Sequence, residues 1–165
     1  MAIQVTKRTL IGGAAAAVSA LFLPACSRKS AEAGAETFEV TKSPEEWRKI
    51  LSPAQFAVLR EEDTERSGSS PLNAEHRRGT YICAGCALPL YTSEAKFESG
   101  TGWPSFTAPI ADAVRTKQDA GLFSVRTEVH CRRCGGHLGH VFDDGPAPTG
   151  KRYCMNGAAM AFVAA

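Results

Sequence analysis

What this 165-residue chain lacks narrows it quickly. It lacks net charge in its main part. Lys7 and Arg8 account for the whole formal +2, and from Cys26 onward 17 Lys and Arg face 17 Asp and Glu. A nucleic-acid partner selects a basic surface, so this balance argues against one. It lacks a membrane-spanning run. The uncharged stretch from Leu10 to Leu23 is 14 residues long, short of the roughly 20 needed to cross a bilayer as a helix. It lacks helices of roughly 10–15 residues alternating with strands, which excludes a parallel doubly wound sheet. It lacks any internal repeat beyond two Cys-x-x-Cys pairs. Finally, it lacks a partner for one thiol. Of six cysteines, four form the pairs Cys83-Ala-Gly-Cys86 and Cys131-Arg-Arg-Cys134, and Cys26 closes the N-terminal apolar run. Cys154 stands alone in Arg152-Tyr153-Cys154-Met155-Asn156. An unpaired thiol in a chain that otherwise accounts for its cysteines is a candidate nucleophile or redox centre.

Residues 1–26 read as an export signal. Lys7-Arg8 supply the positive start, and Thr6-Lys7-Arg8-Thr9-Leu10-Ile11 resembles a twin-arginine signal with Lys in place of the first Arg. A general secretory signal remains the alternative. Leu23-Pro24-Ala25-Cys26 resembles a bacterial lipobox, whose cysteine is lipidated and becomes the mature N-terminus. The expectation is a periplasmic or membrane-anchored protein held by a lipidated Cys26. Residues 27–42, poor in large apolar groups, read as a flexible tether. Residues 43–165 suit one monomeric domain with a modest core.

The domain reads as a helical preface and a β core. Ser43-Pro44-Glu45-Glu46 has Ser as N-cap, Pro at the first position and Glu three residues after the cap. Ser52-Pro53-Ala54-Gln55 repeats the device. The spacing predicts helices over 44–51 and 53–62, burying Trp47, Phe56, Val58 and Leu59. Beyond Arg66, Gly and Pro punctuate short runs of β-formers. The clearest strand is 123–129, where Phe123, Val125, Thr127 and Val129 alternate with Ser124, Arg126 and Glu128. Residues 80–83, 88–92, 137–142 and 159–163 are further candidates. An antiparallel sheet or barrel follows.

The two cysteine pairs suit zinc. Each forms a knuckle offering two thiolates, and two knuckles meeting make a closed tetrahedral site. Gly85 and Gly135-Gly136 are expected to supply the backbone freedom of the turns. Two disulfides are a rival in an oxidising compartment, and a thioredoxin-like pair is another, though no βαβ pattern surrounds either.

Four blocks carry a resemblance. They are Tyr81-Ile-Cys-Ala-Gly-Cys86, Phe97-Glu-Ser-Gly-Thr-Gly-Trp-Pro-Ser-Phe106, Cys131-Arg-Arg-Cys-Gly-Gly-His-Leu-Gly-His-Val-Phe142 and Gly150-Lys-Arg-Tyr-Cys-Met-Asn156. In order and spacing they resemble the B-type methionine-R-sulfoxide reductases over about residues 43–163. That resemblance implies a mainly β fold of two antiparallel sheets, a barrel-like or tent-like core stapled by a four-cysteine zinc site, with short N-terminal helices. It implies thiol-dependent reduction of the R epimer of methionine sulfoxide, free or in oxidised proteins. It makes Cys154 the nucleophile, sets Trp103, His137, His140, Arg152 and Asn156 around it, and makes Cys83, Cys86, Cys131 and Cys134 ligands of one structural Zn2+. It also marks a departure: many members carry a resolving cysteine where this chain has Thr101. Recycling is then expected from a small thiol or a thioredoxin-like protein.

The residue types suit the chemistry. A thiolate attacks the electrophilic sulfoxide sulfur while an acid protonates the oxygen, leaving methionine and a Cys154 sulfenic acid. Neighbouring cations favour a thiolate, a role open to Arg152 and the histidines. His140 is the first choice of acid, with His137 beside it, and Trp103 offers an aromatic wall to the S-methyl group. Taken singly, these residues have blander readings. His137 and His140 are three apart in a strand-like segment and need not share a face, Trp103 reads as core, and Arg152 as a solvated charge. Two other classes of function stand beside the enzyme: a non-catalytic zinc-stapled β binding module, and a thiol–disulfide oxidoreductase using one cysteine pair.

Overall fold

The structure, a computed structural model, describes residues 36–120 and 125–165. The export signal, Cys26 and most of the tether lie outside the described residues, as do Phe123 and Ser124. One compact unit runs Glu36–Ala165. Residues 36–42, read from sequence as the end of the tether, pack onto it: Val40 N donates to Arg133 O at 3.0 Å, and Phe38 lies edge-on to His130.

Helices α1 (Pro44–Ile50) and α2 (Pro53–Glu61) start where the capping pattern predicts. In α1 the Ser43 hydroxyl accepts from Glu46 N at 3.2 Å, and the Glu46 carboxylate accepts from Ser43 N at 2.7 Å. Ser52 and Gln55 reciprocate in the same way at α2. Such caps stabilise a helix by about 1 kcal/mol each, a useful fraction for helices this short. Trp47, Phe56, Val58 and Leu59 are all buried.

The strands among the described residues are β1 (Gly79–Cys83), β2 (Pro89–Thr92), β3 (Lys96–Phe97), β4 (Ser105–Phe106), β5 (Val114–Ala120), β6 (Val125–Cys131), β7 (His137–Phe142), β8 (Arg152–Met155) and β9 (Met160–Ala164). They form two antiparallel sheets, one in the order β2-β1-β9 and one in the order β3-β4-β8-β7-β6-β5. No described helix is long and apolar enough to cross a membrane.

Register assigns the two faces of the larger sheet. Paired residues of antiparallel strands point to the same side, and side chains alternate along each strand. Phe106, Tyr153, Val141 and Thr127 form one cross-strand row. Met155, Gly139 and Val129 form the next row on that side. This apolar face meets the smaller sheet. Tyr91 stacks on Phe106 with centroids 4.3 Å apart, Tyr81 meets Phe106 edge-on at 4.9 Å, and the Tyr91 hydroxyl donates to Met155 Sδ at 3.1 Å. Tyr81, Tyr91, Phe106 and Met155 are fully buried. Truncating a buried aromatic of this kind to Ala costs about 3–5 kcal/mol.

The opposite face is polar and is not a solvent face. In 123–129 Arg126 and Glu128 alternate with the apolar positions, and Glu128 is 2% exposed while Val125 is 69% exposed. Val125 sits near the tip of the β5–β6 hairpin, beyond the smaller sheet's cover, whereas Glu128 faces a packed cluster of charges. That cluster is the site described next.

Candidate active site

Two irregularities build the site. The first is a bulge in β7. Val129 pairs with Gly139, but the next pair is His130 with His137, so Leu138 is an extra residue on β7. A bulge shifts the alternation by one. It turns His137 onto the face that His140 already occupies, and the two rings sit edge-to-face with centroids 5.4 Å apart. Three residues of spacing in a regular strand would have split them. The second is Gly139, at φ +153°, where a Cβ would lie 2.2 Å from Cys154 O. Only glycine lets β7 approach β8 this closely beside Cys154.

Cys154 is the centre of a cross-strand row. His140 pairs with it from β7, and Ser105 pairs with it from β4. All three side chains therefore share the polar face. The thiol is partly exposed, with the imidazole on one side and hydroxyls on the other. Thr101 Oγ1 lies 3.8 Å from Cys154 Sγ. Ser99 Oγ is 2.8 Å from Thr101 Oγ1 and 2.7 Å from Ser105 Oγ, completing a chain of hydroxyls.

Charge is paired throughout this face. Arg152 makes a bidentate pair with Asp144, both contacts at 2.8 Å, and its guanidinium lies over the Phe142 ring at 4.4 Å. Its pKa is raised first by the Asp144 hydrogen bonds and further by the neighbouring Cys154 sulfur, against a penalty from burial. His140 Nε2 is 2.9 Å from Asp119 Oδ2, which Arg126 also holds at 2.7 Å. His137 Nδ1 is 2.9 Å from Glu128 Oε1, both side chains being 3% exposed. Lys117 Nζ stands 2.9 Å from Glu128 Oε2 and 2.8 Å from Glu62 Oε1. Burial lowers the pKa of both histidines below the usual value. The Asp119 hydrogen bond opposes this at His140, and the charges of Glu62 and Asp119 oppose it at His137.

A cavity of about 170 Å³ opens beside the thiol, lined by Trp103, His140, Phe142, Cys154, Asn156 and Arg126 among others. That volume suits one side chain rather than a cofactor. The loop after α2 forms its rim. Glu65 O accepts from Trp103 Nε1 at 3.1 Å, Glu65 N donates to Asn156 Oδ1 at 3.0 Å, and Asn156 Nδ2 donates to Leu138 O at 3.2 Å. The Glu65 carboxylate accepts from Gly157 N and Ala158 N at 2.5 and 3.1 Å. A larger cavity of about 400 Å³ lies by Phe38, Trp47 and Arg60, away from this thiol.

Each sequence-predicted residue falls here: Trp103, His137, His140, Arg152, Cys154 and Asn156 converge on one face. Asn156 is 3% exposed and ties the Glu65 loop to β7. Sequence reasoning missed Glu128, Asp119, Glu65 and Asp144. Glu128 and Asp119 were legible only through register, since a carboxylate in a polar alternation looks solvated. Nothing in their local sequence marks Glu65 and Asp144.

The other four described cysteines form a separate cluster. Cys83 Sγ is 3.7 Å from Cys134 Sγ, Cys86 Sγ is 3.5 Å from Cys131 Sγ, and all four lie within 4.8 Å of one another. The thiols are free, so the contacts are not disulfides. Hydrogen bonding within the cluster pushes Cys83 and Cys134 up and Cys86 and Cys131 down. Crowded sulfurs divide their protons in this way, and an ion in their midst would replace them all. The glycine expectation needs correction. After the second cysteine of each knuckle the chain turns left-handed, at Gly135 with φ +65° but at Ala87 with φ +58°. Gly85 and Gly136 serve space instead: a Cβ at Gly136 would meet Leu59 Cδ2 at 2.8 Å, and one at Gly85 would touch Trp47 and Leu59. Arg60 of α2 donates to Cys134 O and Gly135 O at 3.0 and 3.1 Å, fastening the helices to the second knuckle.

The SelR domain family matches residues 51–164. The chain is 56% identical over 123 residues to the peptide methionine sulfoxide reductase MsrB of Bradyrhizobium diazoefficiens, covering 74% of this chain and 88% of that one. It is 56% identical over 124 residues to the MsrB of Methanosarcina barkeri, covering 74% and 87%. Against the MsrB of Leptospira interrogans, identity is 50% over 126 residues, covering 76% and 96%.

Proposed function

The chain belongs to the SelR-domain family of peptide methionine sulfoxide reductases, and from that premise we propose how its residues divide the reaction. The protein reduces the R-sulfoxide of methionine, the epimer served by this class of reductase. The observation that carries the residue assignment is the row His140–Cys154–Ser105, with a cavity of one side chain's volume beside the thiol. A binding module needs no solvent-reachable thiol flanked by an imidazole and an arginine.

In this reading the sulfoxide side chain enters between Trp103 and Phe142, which pack against its S-methyl group. The Cys154 thiolate attacks the sulfoxide sulfur. A sulfur–sulfur bond forms as His140 protonates the oxygen and the sulfur–oxygen bond of the substrate breaks, releasing water. A water molecule then attacks the Cys154 sulfur, the sulfur–sulfur bond breaks with its electron pair going to methionine, and Cys154 is left as a sulfenic acid. Arg152 sets its guanidinium beside the Cys154 sulfur, Asp144 holds that guanidinium in place, and Asn156 shapes the pocket by joining β7 to the Glu65 loop. His137 orders the proton beside His140. An assay resolving the two sulfoxide epimers tests this: wild type turns over the R epimer, and Cys154→Ser turns over neither.

The ion of the four-cysteine cluster is zinc in this proposal. Thiolates about 2.3 Å from a tetrahedral zinc stand about 3.8 Å from one another, which suits the observed 3.5 and 3.7 Å contacts. Cys83, Cys86, Cys131 and Cys134 would hold it with no open position, so its contribution is to folding. Metal analysis of the purified domain tests the identity. The electron donor is a small thiol or a thioredoxin-like protein, since Thr101 stands at the resolving position. The substrates are oxidised proteins. Lys7-Arg8 and the lipobox-like Leu23–Cys26 support export, with a lipidated Cys26 anchoring the domain to a membrane. Mass spectrometry of the mature N-terminus tests that point.

A further inference from the structure

A four-thiolate site with no open position must still take up its ion, so it needs a path to solvent. Resting on the reading of the cysteine cluster as a metal site, we propose that residues 36–42 form a latch across that path, and that the ion exchanges with solvent when this strap lifts from the second knuckle.

The path is the cavity of about 400 Å³. Its lining includes Phe38, Val40, Trp47, Phe56, Arg60 and Cys134, and Cys134 is the one cysteine among the described residues that borders it. Cys134 is only 3% exposed, so the walls close over it. One wall is helical. The helices α1 and α2 bring Trp47 and Phe56, both buried, and Arg60 ties this wall to the knuckle through Cys134 O and Gly135 O. The Arg60 guanidinium also lies over the Trp47 ring at 5.0 Å. The other wall is the strap, which has no helix or strand of its own. A segment held mainly by side-chain contacts opens at lower cost than a packed, capped helix, so the strap is the wall that moves.

The strap grips the knuckle on both sides of its cysteines. Before Cys131, His130 Nε2 is 3.0 Å from Glu36 Oε2, and Arg115 Nε of β5 is 3.2 Å from Glu36 Oε1. Between the cysteines, Glu39 pairs with Arg132 and stands 3.6 Å from Arg133 Nε, while Val40 N donates to Arg133 O at 3.0 Å. After Cys134, the Phe38 ring covers Gly135 so closely that a Cβ there would lie 2.5 Å from it. Arg133 carries the grip further: its Nη1 donates to Cys86 O of the first knuckle at 3.2 Å. Lifting the strap therefore loosens the backbone around both pairs of sulfurs. Exposed ion pairs hold weakly, so Phe38 is the dominant contact. None of residues 36–42 falls within the 51–164 that the SelR family matches, so the latch is supplied from outside that match.

Metal retention tests this independently of turnover. Full-length protein, loaded with zinc and desalted, is held in excess EDTA, and the metal left on the protein is followed by elemental analysis. Phe38→Ala should lose it about tenfold faster than wild type, the factor expected when a half-buried aromatic contact goes. Glu39→Gln keeps the size but frees Arg132 and Arg133, and should speed the loss a few-fold. A latch differs from general weakening. Phe106→Leu, which loosens the core between the sheets, is therefore compared at the same interval below its own melting temperature, where it should lose metal more slowly than Phe38→Ala. Loss from Phe38→Ala at the wild-type rate, or at the rate of Phe106→Leu, would overturn the proposal. If Phe38→Ala does not fold, Glu39→Gln decides by the same criterion. Failure of the underlying reading is distinct: wild type would then retain no stoichiometric zinc through desalting.

Discussion

The two cysteine regions hold the same functional group in opposite circumstances. In the cluster, each sulfur has three others within 4.8 Å, and Cys83, Cys131 and Cys134 are at most 3% exposed. At the other site Cys154 is alone, partly exposed, and surrounded by an imidazole, a guanidinium and hydroxyls. The side chain is the same, so its neighbours decide the outcome. Four free thiols crowded together share protons or hold an ion, which makes them part of the fold. One thiol with a cation nearby and an open cavity is available for chemistry. The strands enforce the difference. Cys83 and Cys131 end β1 and β6 at the knuckles, while Cys154 lies mid-way in β8 between β4 and β7.

The sharpest break of that comparison is at the lone thiol. Cys154→Ser should abolish R-sulfoxide reduction, leaving less than about a hundredth of wild-type turnover, because among the described residues no other thiol lines the cavity. Metal content and melting temperature should not change. Next comes the cluster. Cys83→Ser or Cys134→Ser should lose the ion and unfold or aggregate the domain, since ion binding there is coupled to folding. A soluble, ion-free variant with an unchanged melting curve would show that the cluster does not staple the fold. Smaller in effect, His140→Ala should slow reduction roughly 10²–10⁴-fold, the usual range for a proton donor. His137→Ala should cost less in the same assay, and the reverse order would exchange the two roles.

A weaker effect concerns pH. Burial lowers the folded-state pKa of His137 and His140 beneath the unfolded value of about 6.5. The unfolded chain therefore binds protons first as pH falls. Stability from keeping these rings neutral is complete above about 6.5 and declines as the pH drops below it towards their folded values. Urea midpoints measured from pH 8 down to pH 5 should fall, and His137→Asn should flatten that slope. An unaltered slope would mean that this imidazole is not held neutral by the fold.

How much of this was legible in sequence depends on whether the cause is local. The helices were, because a capping box needs only four adjacent residues, and both begin at the predicted prolines. The strand at 137–142 was found at its full extent. Strand β5 was not: Val114-Arg-Thr-Lys-Gln-Asp-Ala120 is polar on both faces and pairs only because β6 lies beside it. Strand β8, which carries Cys154, was also missed, since four residues following a loop show no period. The bulge at Leu138 is invisible in sequence, and it alone reconciles the spacing of His137 and His140 with a shared face. The burial of Glu128 was hidden for a related reason. Alternation tells which residues share a side, and only the packing of the whole sheet tells which side is covered.

The finest test of the contrast is to give the lone thiol a neighbour. Thr101 Oγ1 stands 3.8 Å from Cys154 Sγ, and a cysteine at that position would put its sulfur close to where the hydroxyl now lies. A disulfide needs the sulfurs at about 2.05 Å, so the loop must yield a little. It has the means: Gly100 and Gly102 both hold positive φ, and a Cβ at Gly100 would meet nothing within 4 Å. Wild type oxidised by one equivalent of R-sulfoxide should therefore stop at a dimedone-trappable sulfenic acid. Thr101→Cys should proceed to a disulfide between the introduced thiol and Cys154, a state that neither the cluster nor the lone thiol reaches alone. Turnover with thioredoxin should improve modestly, because a disulfide is that donor's ordinary substrate. Mass spectrometry of the oxidised variant decides the first point, and the absence of the disulfide would mean that residue 101 does not reach Cys154 once the sulfur is oxidised.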